Sequence, residues 1–182
     1  MKTRDMLLIA LFAALTAVGG FLNIPTPTVP FSLQFLFCAY AGVLLGSRNA
    51  LLSQLLYLAI GLIGVPVFTK GGGIGYVLQP SFGFLLGFAI CAFIIGFIVE
   101  RASKPGILRI SAAVLLGLVS TYVIGALYLY LITNYLAAPG NEIDFRTAVA
   151  WGVTPFIVFD LIKAAIVSVT SIKILPVLRR FF

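Results

Sequence analysis

The sequence predicts an all-α integral membrane protein with six transmembrane helices, and three observations lead to this fold class. First, 62% of the 182 residues are hydrophobic and only 9% are charged, with a mean hydropathy of +1.17. A soluble domain is about half apolar and a quarter charged. Second, the apolar segments are often long enough to match the roughly 30 Å hydrocarbon core of a bilayer. Third, most charged residues fall between these segments and are unequally divided between the two sides.

Hydropathy, with proline, glycine and charge clusters taken as breaks, defines the six predicted spans. The first span resembles a secretory signal, but Gly19-Gly20 is followed directly by Phe21 rather than by a cleavage site and a mature domain. The second and third spans are short, and only Ser47-Arg48 separates them. The fifth is long enough to tilt or to project beyond the bilayer. The predicted spans are 5–23, 31–46, 49–64, 81–99, 107–136 and 148–176, in a single domain of residues 1–182.

The basic residues support an even number of spans. With six spans, nine of them fall on one side of the membrane, and only Lys70 and Arg146 fall on the other. Because positive charge concentrates in cytoplasmic loops, both termini are expected in the cytoplasm. The net charge of +7 then reflects topology and contact with lipid headgroups, and nucleic-acid binding is not expected. The nine residues are Lys2, Arg4, Arg48, Arg101, Lys104, Arg109, Lys173, Arg179 and Arg180.

The residue types that are missing argue against an enzyme. The sequence has no histidine, and its two cysteines, Cys38 and Cys91, lie in apolar runs where we expect them to pack rather than to bind metal. No Walker motif is present, so the chain is not expected to hydrolyse ATP itself. No metal or cofactor is expected.

Two charged residues, Asp160 and Lys163, lie well inside the last predicted span, whereas Lys173 lies near its cytoplasmic end. Each would cost about 2.5–3.5 kcal/mol at the centre of a membrane helix, so each must be paired or face a cavity. Their spacing of three places them on one helix face. Thr154 and Pro155 either open the helix or kink a helix that begins near Thr147, and in both cases the pair lies in the external half. The pair either only stabilises the fold or binds a ligand, with the aspartate accepting N–H groups and the lysine meeting a carboxylate.

The segment 65–80 interrupts the apolar pattern on the predicted external side. It contains Lys70 beside a cluster of glycines, and it is either a flexible linker or a lid whose backbone approaches a ligand closely. Tyr76, Phe82 and Phe84 are candidates for a flat apolar wall under such a lid. A second external connection, 137–147, is expected to fold over the same region. The glycines of the cluster are Gly71, Gly72, Gly73 and Gly75.

Gln34 is a further candidate for ligand contact, and a hydrogen bond between helices is an equally good explanation for it. Pairs of small residues spaced four apart predict close helix packing, or the docking of a partner where they are exposed. Two such pairs lie on the first span, Ala10 with Ala14 and Ala13 with Ala17. Others are Gly42 with Gly46 and Gly83 with Gly87.

Two long stretches of the chain closely resemble the BioY family, the biotin-binding S components of energy-coupling factor transporters. The first stretch is "VPFSLQFLFCAYAGVLLGSRNALLSQLLYLAIGLIGVPVFTKGGGIGYVLQPSFGFLLGF", and the second is "PFIVFDLIKA". The resemblance covers nearly the whole chain. It implies a six-helix protein of the cell membrane that captures biotin from outside and associates with a membrane-embedded T component and two cytoplasmic ATPases.

The resemblance also implies roles for individual residues. Asp160 would meet the ureido N–H groups of biotin and Lys163 its carboxylate, while Gly71–Gly75 and Tyr76 would close over the ligand. Alanines of the first helix, in either register, would dock the T component. Some members of the family have an asparagine in the glycine segment and an arginine near the position of Leu85, and here Lys70 or Gln34 would substitute for them. Alternatives are an S component for another small acid such as lipoate, and a membrane assembly protein without a ligand.

Overall fold

The computed structural model describes residues 2–26, 28–136 and 142–181, and most of these residues are helical. A short 3₁₀ helix, Ile74–Leu78, lies in the segment between the third and fourth helices. The expected fold of the external connection over the site falls partly on residues 137–141, outside the described residues. The helices are α1 Thr3–Phe21, α2 Gln34–Leu45, α3 Ser47–Leu62, α4 Phe82–Glu100, α5 Ile107–Tyr135, α6 Phe145–Gly152 and α7 Ile157–Phe181. The strands are β1 Asn23–Ile24 and β2 Phe31–Ser32.

The second helix begins later than predicted because a small antiparallel strand pair precedes it. Asn23 pairs with Ser32, and Ile24 pairs with Phe31. The connecting segment contains several prolines, which lack the N–H that a helix needs. Residues 31–32 are therefore extended rather than helical, and the strand pair is a small departure from the predicted all-α structure.

A turn at Gly46 separates α2 from α3. Gly46 has φ +78°, a left-handed conformation that glycine adopts without steric cost. The carboxylate of Glu100, at the end of α4, accepts hydrogen bonds from the backbone N–H of Ser47 at 2.8 Å and from its hydroxyl at 2.7 Å. Glu100 thus supplies an acceptor for the exposed N–H groups at the start of α3.

The last predicted span, 148–176, is bent, in agreement with the second of the two interpretations, a helix that begins near Thr147 and is kinked at Pro155. The structure divides it into α6 and α7, which meet at an angle of 52°. Thr154-Pro155 lies in the break. The proline accounts for the break because it lacks a backbone donor and disfavours helical geometry at the residue before it. Helix α7 begins at Ile157, so Asp160 is its fourth residue and lies near the break.

Among the described residues, α1, α4 and α5 are long and apolar enough to cross a membrane, and α6 with α7 makes a fourth span if the bent pair counts as one. Helix α2 has 12 residues and α3 has 16, so both are shorter than the 18 residues taken as the minimum for a membrane span. At 1.5 Å per residue they measure about 18 and 24 Å, against a hydrocarbon core of roughly 30 Å.

Helix α4 lies at the centre of the bundle and packs on α2, α3 and α5. In its most apolar stretch of 18 residues, 67% is buried inside the protein. The predicted close packing of glycines is confirmed there. A Cβ added at Gly42 would lie 2.7 Å from Ile95 of α4, and one at Gly87 would lie 2.9 Å from the Cα of Thr121 on α5. These positions therefore allow neighbouring helices to approach closely.

The outer surface of the bundle is apolar. On α5, Leu116, Val119, Val123 and Leu127 follow one another at helical spacing, and all are exposed. Such a continuous apolar stripe suits contact with lipid chains and not with water.

Candidate functional site

A cavity lies beside the segment 65–80, called the lid segment below after the role predicted for it, and is walled by α2, α4, α5 and α7. Its empty space, with the part that opens to the outside included, is about 560 Å³. It is bounded by β2 and the residues before it on one side and by the α6–α7 break on another. Polar and aromatic side chains alternate around it. The lining residues are Val29, Pro30, Phe31, Ser32, Gln34, Phe35, Thr69, Tyr76, Ser81, Phe84, Leu85, Phe88, Leu118, Thr121, Tyr122, Gly152, Phe156, Asp160 and Lys163.

The charged pair predicted from the sequence lies in the cavity wall and forms a closed ion pair. The Nζ atom of Lys163 lies 2.7 Å from the Oδ1 atom of Asp160. Both residues are buried, with 6% and 7% of their surfaces exposed. Helix α7 presents both to the cavity because they are three residues apart on one face.

Further partners orient each member of the pair. The hydroxyl of Tyr122 on α5 donates to Oδ2 of Asp160 at 2.6 Å. Lys163 also donates to the backbone carbonyl of Ser32 at 2.7 Å, and its Nζ lies 4.3 Å from the ring centroid of Phe31. A carboxylate has about four acceptor positions, so Asp160 keeps capacity for ligand N–H groups after binding Tyr122 and Lys163.

Gln34 lies at the cavity and connects it to the lid segment. The hydroxyl of Ser32 donates to Oε1 of Gln34 at 2.9 Å, and Nε2 of Gln34 donates to the hydroxyl of Tyr57 at 2.5 Å. Tyr57 in turn donates to the backbone carbonyl of Val67, in the lid segment, at 3.1 Å. The predicted contact between helices is therefore present for Gln34, and the same side chain faces the cavity.

The lid segment is packed against the bundle through aromatic rings. Phe68, only 2% exposed, lies between Tyr57 and Tyr76, with centroid distances of 5.4 and 4.6 Å. The Phe68 ring lies directly over Gly61, and a side chain at that position would collide with it. The hydroxyl of Tyr76 reaches Thr69 at 3.0 Å, which joins two lid residues that line the cavity.

The glycine cluster shapes the lid. Gly71 and Gly73 have φ of +115° and +104°, which side-chain-bearing residues rarely adopt. A Cβ at Gly72 would collide with the carbonyl of Val65. The backbone N–H of Gly73 donates to the carbonyl of Gly61 at 2.7 Å, which holds the loop to the end of α3.

The structure brings together four of the residues singled out from the sequence. Asp160, Lys163, Gln34 and Tyr76 all line the cavity. Five other predicted residues are not among the described residues that line the cavity: Lys70, Gly71, Gly72, Gly73 and Gly75. These five residues therefore lie in the lid segment but not in the lining of the cavity.

Aromatic side chains form the apolar wall, as expected, but one of the aromatic residues predicted for the wall, Phe82, is not part of it. Phe84 lies in the wall with Phe156 and Val29. Phe82 instead packs on Tyr128, with ring centroids 5.8 Å apart. The reason is helical geometry, since residues two apart on a helix point in different directions.

Sequence reasoning missed several polar residues of the site. Tyr122 contacts Asp160 from α5, and Thr69, Ser81 and Thr121 also line the cavity. Single hydroxyl-bearing residues are common in membrane helices as contacts between helices, so nothing in the sequence distinguished these. Within the described chain, no group of three or more His, Cys, Asp or Glu residues is arranged to hold a metal ion.

The two alanine pairs of α1 lie on different faces. Ala13 and Ala17 are buried in the core, with 3% and 9% of their surfaces exposed. Ala10 and Ala14 are exposed, and the neighbouring Leu11 is 50% exposed. Of the two predicted registers, the Ala10–Ala14 pair is therefore the one available at the surface.

Comparison with known proteins relates this site to a family of transporters. The model of the BioY family matches residues 1–180. A probable biotin transporter BioY of Lysinibacillus sphaericus is 52% identical over 133 residues, which cover 73% of this chain and 68% of that protein. The biotin transporter BioY of Thermotoga maritima is 31% identical over 172 residues, which cover 94% and 95% of the two chains.

A solved structure has the same fold. The crystal structure of the S-component for biotin from an ECF-type ABC transporter aligns with a TM-score of 0.81 at 28% identity. The alignment covers 96% of this chain and 94% of the other.

Proposed function

The chain belongs to the BioY family, and from this premise we propose that it is the substrate-capture subunit, or S component, of an energy-coupling factor transporter for biotin. It is a multi-pass membrane protein and acts as a transport subunit rather than as an enzyme. It takes biotin from the external side and delivers it together with a T component and ATPases.

The observation that carries the proposal is the buried ion pair in the wall of a cavity otherwise lined by aromatic and hydroxyl-bearing residues. A ureido group has N–H donors beside a carbonyl acceptor. Asp160 accepts hydrogen bonds, and Lys163 donates them from a position 2.7 Å away. The pair is therefore complementary to a ureido group, and charge-assisted hydrogen bonds of this kind are the strong ones.

We infer the placement of the two ends of the ligand from this contact. Because Asp160 and Lys163 touch each other, we propose that both meet the ureido ring, so that Lys163 donates to the ureido carbonyl and not to the carboxylate that the family resemblance implied for it. The carboxylate of the ligand then lies beneath the lid, near the hydroxyls of Thr69, Tyr76 and Ser81. The Phe84–Phe156 wall covers the apolar rings between the two ends.

Six spans with cytoplasmic termini remain part of the proposal. Three or four of the described helices satisfy the length and hydropathy test, and the short α2 and α3 complete the six. The argument is the distribution of basic residues, since six spans put nine of them on one side of the membrane and two on the other. An odd number of spans would remove this difference. The lid is then external, and the basic ends of the helices face the cytoplasm and lipid headgroups.

We assign the docking of the T component to the exposed Ala10–Ala14 pair on α1. Small residues let two helices approach closely in a membrane. Ala14→Leu is expected to reduce co-purification with the T component about tenfold or more while biotin binding is unchanged. Ala112→Leu, at an exposed alanine of α5, is the matched control. Equal loss of the complex in both variants would remove the assignment from α1.

The test of the proposed function is calorimetry with the purified, detergent-solubilised chain, with biotin and lipoate as ligands. We expect one-to-one binding of biotin that is lost in Asp160→Ala and in Lys163→Ala. Binding of lipoate alone would move the assignment to an S component for another acid. Binding of neither would favour a membrane assembly protein in which the ion pair only stabilises the fold.

A further inference from the structure

The structure assigns to Tyr57 the role of a latch that holds the lid closed and thereby sets the rate at which ligand enters and leaves. Tyr57 does not line the cavity among the described residues, so it acts as a positioning residue and not as a ligand contact. The inference rests on the proposed function for the identity of the ligand. It concerns the lid itself and has a readout that needs no ligand.

The first step of the argument is where the hydroxyl of Tyr57 points. It comes from α3, is buried, and donates to the backbone carbonyl of Val67 at the start of the lid. Its ring packs edge-on against Phe68, the next residue of the lid. One side chain of the rigid bundle therefore contacts the lid through both a hydrogen bond and a ring.

The second step is that this hydrogen bond is the last of a directional chain that begins at a residue of the cavity wall. The hydroxyl of Ser32 donates to Gln34, Gln34 donates to Tyr57, and Tyr57 donates to Val67. The backbone carbonyl of the same Ser32 accepts a separate hydrogen bond from Lys163. Hydrogen bonds in such chains polarise one another. The latch is thus connected to the residues that face the ligand.

The third step is that a second tyrosine holds the other end of the lid. Tyr128 of α5 donates through its hydroxyl to the carbonyl of Val77, in the 3₁₀ helix of the lid. Within the described part of the chain, no hydrogen bond joins Tyr128 to the residues that lead from Ser32 to Tyr57. The two ends of the lid are therefore tied independently, and the Tyr57 end is the one connected to the cavity.

The fourth step is the location of the latch beside α1. A Cβ at Gly20, near the end of α1, would lie 3.1 Å from the carbonyl oxygen of Val67 and 3.3 Å from Nε2 of Gln34. The helix that carries the exposed Ala10–Ala14 pair thus lies next to both hydrogen-bond partners of Tyr57. A tilt of α1 on docking a partner would move the acceptor of the Tyr57 bond.

The test compares Tyr57→Phe with the wild type in biotin binding and in amide hydrogen exchange. The variant keeps the ring contact with Phe68 and removes only the hydroxyl. A latch holds the lid closed in both the empty and the loaded protein, so its loss is expected to raise the association and dissociation rates together, by roughly two- to tenfold. The equilibrium constant for biotin then changes much less than either rate.

Hydrogen exchange provides the readout that does not depend on ligand. In the empty protein, exchange of peptides covering 65–80 should rise by the same factor in Tyr57→Phe, while peptides of α4 and α5 keep wild-type protection. Tyr128→Phe should raise lid exchange as well, which keeps the idea testable if the first variant does not fold. Tyr40→Phe is the matched control, because it removes a hydroxyl that bonds Thr170 between α2 and α7, away from the lid.

Three results would overturn the latch. Wild-type rates and wild-type lid exchange in Tyr57→Phe would show that the hydroxyl holds nothing. A faster dissociation alone, with a matching rise in the equilibrium constant, would make Tyr57 a ligand contact. Faster exchange throughout α4 and α5 would make it a general packing residue. If the wild type binds no biotin, the proposed function fails. Hydrogen exchange of the peptides covering 65–80 still shows whether Tyr57 holds the lid closed.

Discussion

At the scale of single residues, the notable feature is a charged pair that the fold has no structural need to keep. Burying an ion pair costs about as much solvation as its attraction returns, and apolar residues of similar size often serve as well or better. Asp160 and Lys163 are nevertheless both buried in the wall of a cavity. In the proposed function, a ligand that uses both charges explains why the pair is retained.

This explanation predicts different effects of single and paired substitutions. Lys163→Met leaves Asp160 as an uncompensated buried charge and should lower stability by about 3–5 kcal/mol. Asp160→Asn with Lys163→Met removes both charges, and the asparagine side chain still accepts from Tyr122. The double variant should melt near the wild-type temperature or above it, yet lose the increase in melting temperature that biotin gives the wild type.

Thermal unfolding in detergent, with and without biotin, measures both effects. A double variant as unstable as Lys163→Met would mean that the pair is chiefly a structural contact. A double variant that still gains stability from biotin would place the ligand elsewhere.

At the scale of elements, the break between α6 and α7 positions the site. Gly152 ends α6 and lines the cavity, and Phe156 in the break forms part of its apolar wall. Asp144 begins α6 as its N-cap, with the backbone N–H of Thr147 donating to its carboxylate at 2.9 Å and the Thr147 hydroxyl donating to the same oxygen. These hydrogen bonds hold the pKa of the Asp144 carboxyl below its usual value, the hydroxyl contributing most.

The lowered pKa predicts that α6 loosens in acid. A group whose pKa is depressed in the folded state contributes stability above its unfolded pKa, about 3.9 for aspartate, and loses that contribution as the pH falls through the folded pKa. The sequence contains one tryptophan, Trp151, and it lies in α6. Its fluorescence should therefore change as the pH is lowered below about 4.

Asp144→Asn is the matched control for this titration, because it keeps a capping acceptor but has no ionisable group. The change in Trp151 fluorescence should be absent or much smaller in that variant. An identical titration in wild type and variant would assign the transition to other carboxylates.

At the scale of the whole molecule, the proposed arrangement in the membrane is argued from charge rather than from helix length. Two of the described helices, α2 and α3, are too short for a length criterion to count them as spans. The excess of basic residues on one side nevertheless favours an even number of spans. In the proposed six-span arrangement, the glycine-rich lid and the basic ends of the helices are on opposite sides of the membrane.

Cysteine labelling in intact cells tests this topology. The native Cys38 and Cys91 are fully buried, so a single cysteine introduced at an exposed position is expected to dominate the labelling. Glu142→Cys should react with a membrane-impermeant maleimide in intact cells, and Lys104→Cys only after the cells are opened. Labelling of both positions in intact cells would contradict the six-span arrangement.

The sequence by itself determined the class of the protein and much of its site. Hydropathy is a local, additive property, so apolar segments and charged residues within them are visible without a structure, and Asp160 and Lys163 were identified for this reason. The glycine-rich stretch predicted a lid segment, and the resemblance to the BioY family, confirmed by the comparison of residues 1–180, supplied the ligand class.

Only the tertiary structure decided which residues meet. Tyr122 reaches Asp160 across 38 positions of sequence, and Lys163 reaches the carbonyl of Ser32 across 131. The structure also selected Ala10 and Ala14 as the exposed register on α1 and broke the last helix near Pro155. These features depend on how helices rotate and approach one another, and packing between distant segments sets that rotation, which no local pattern of residues contains.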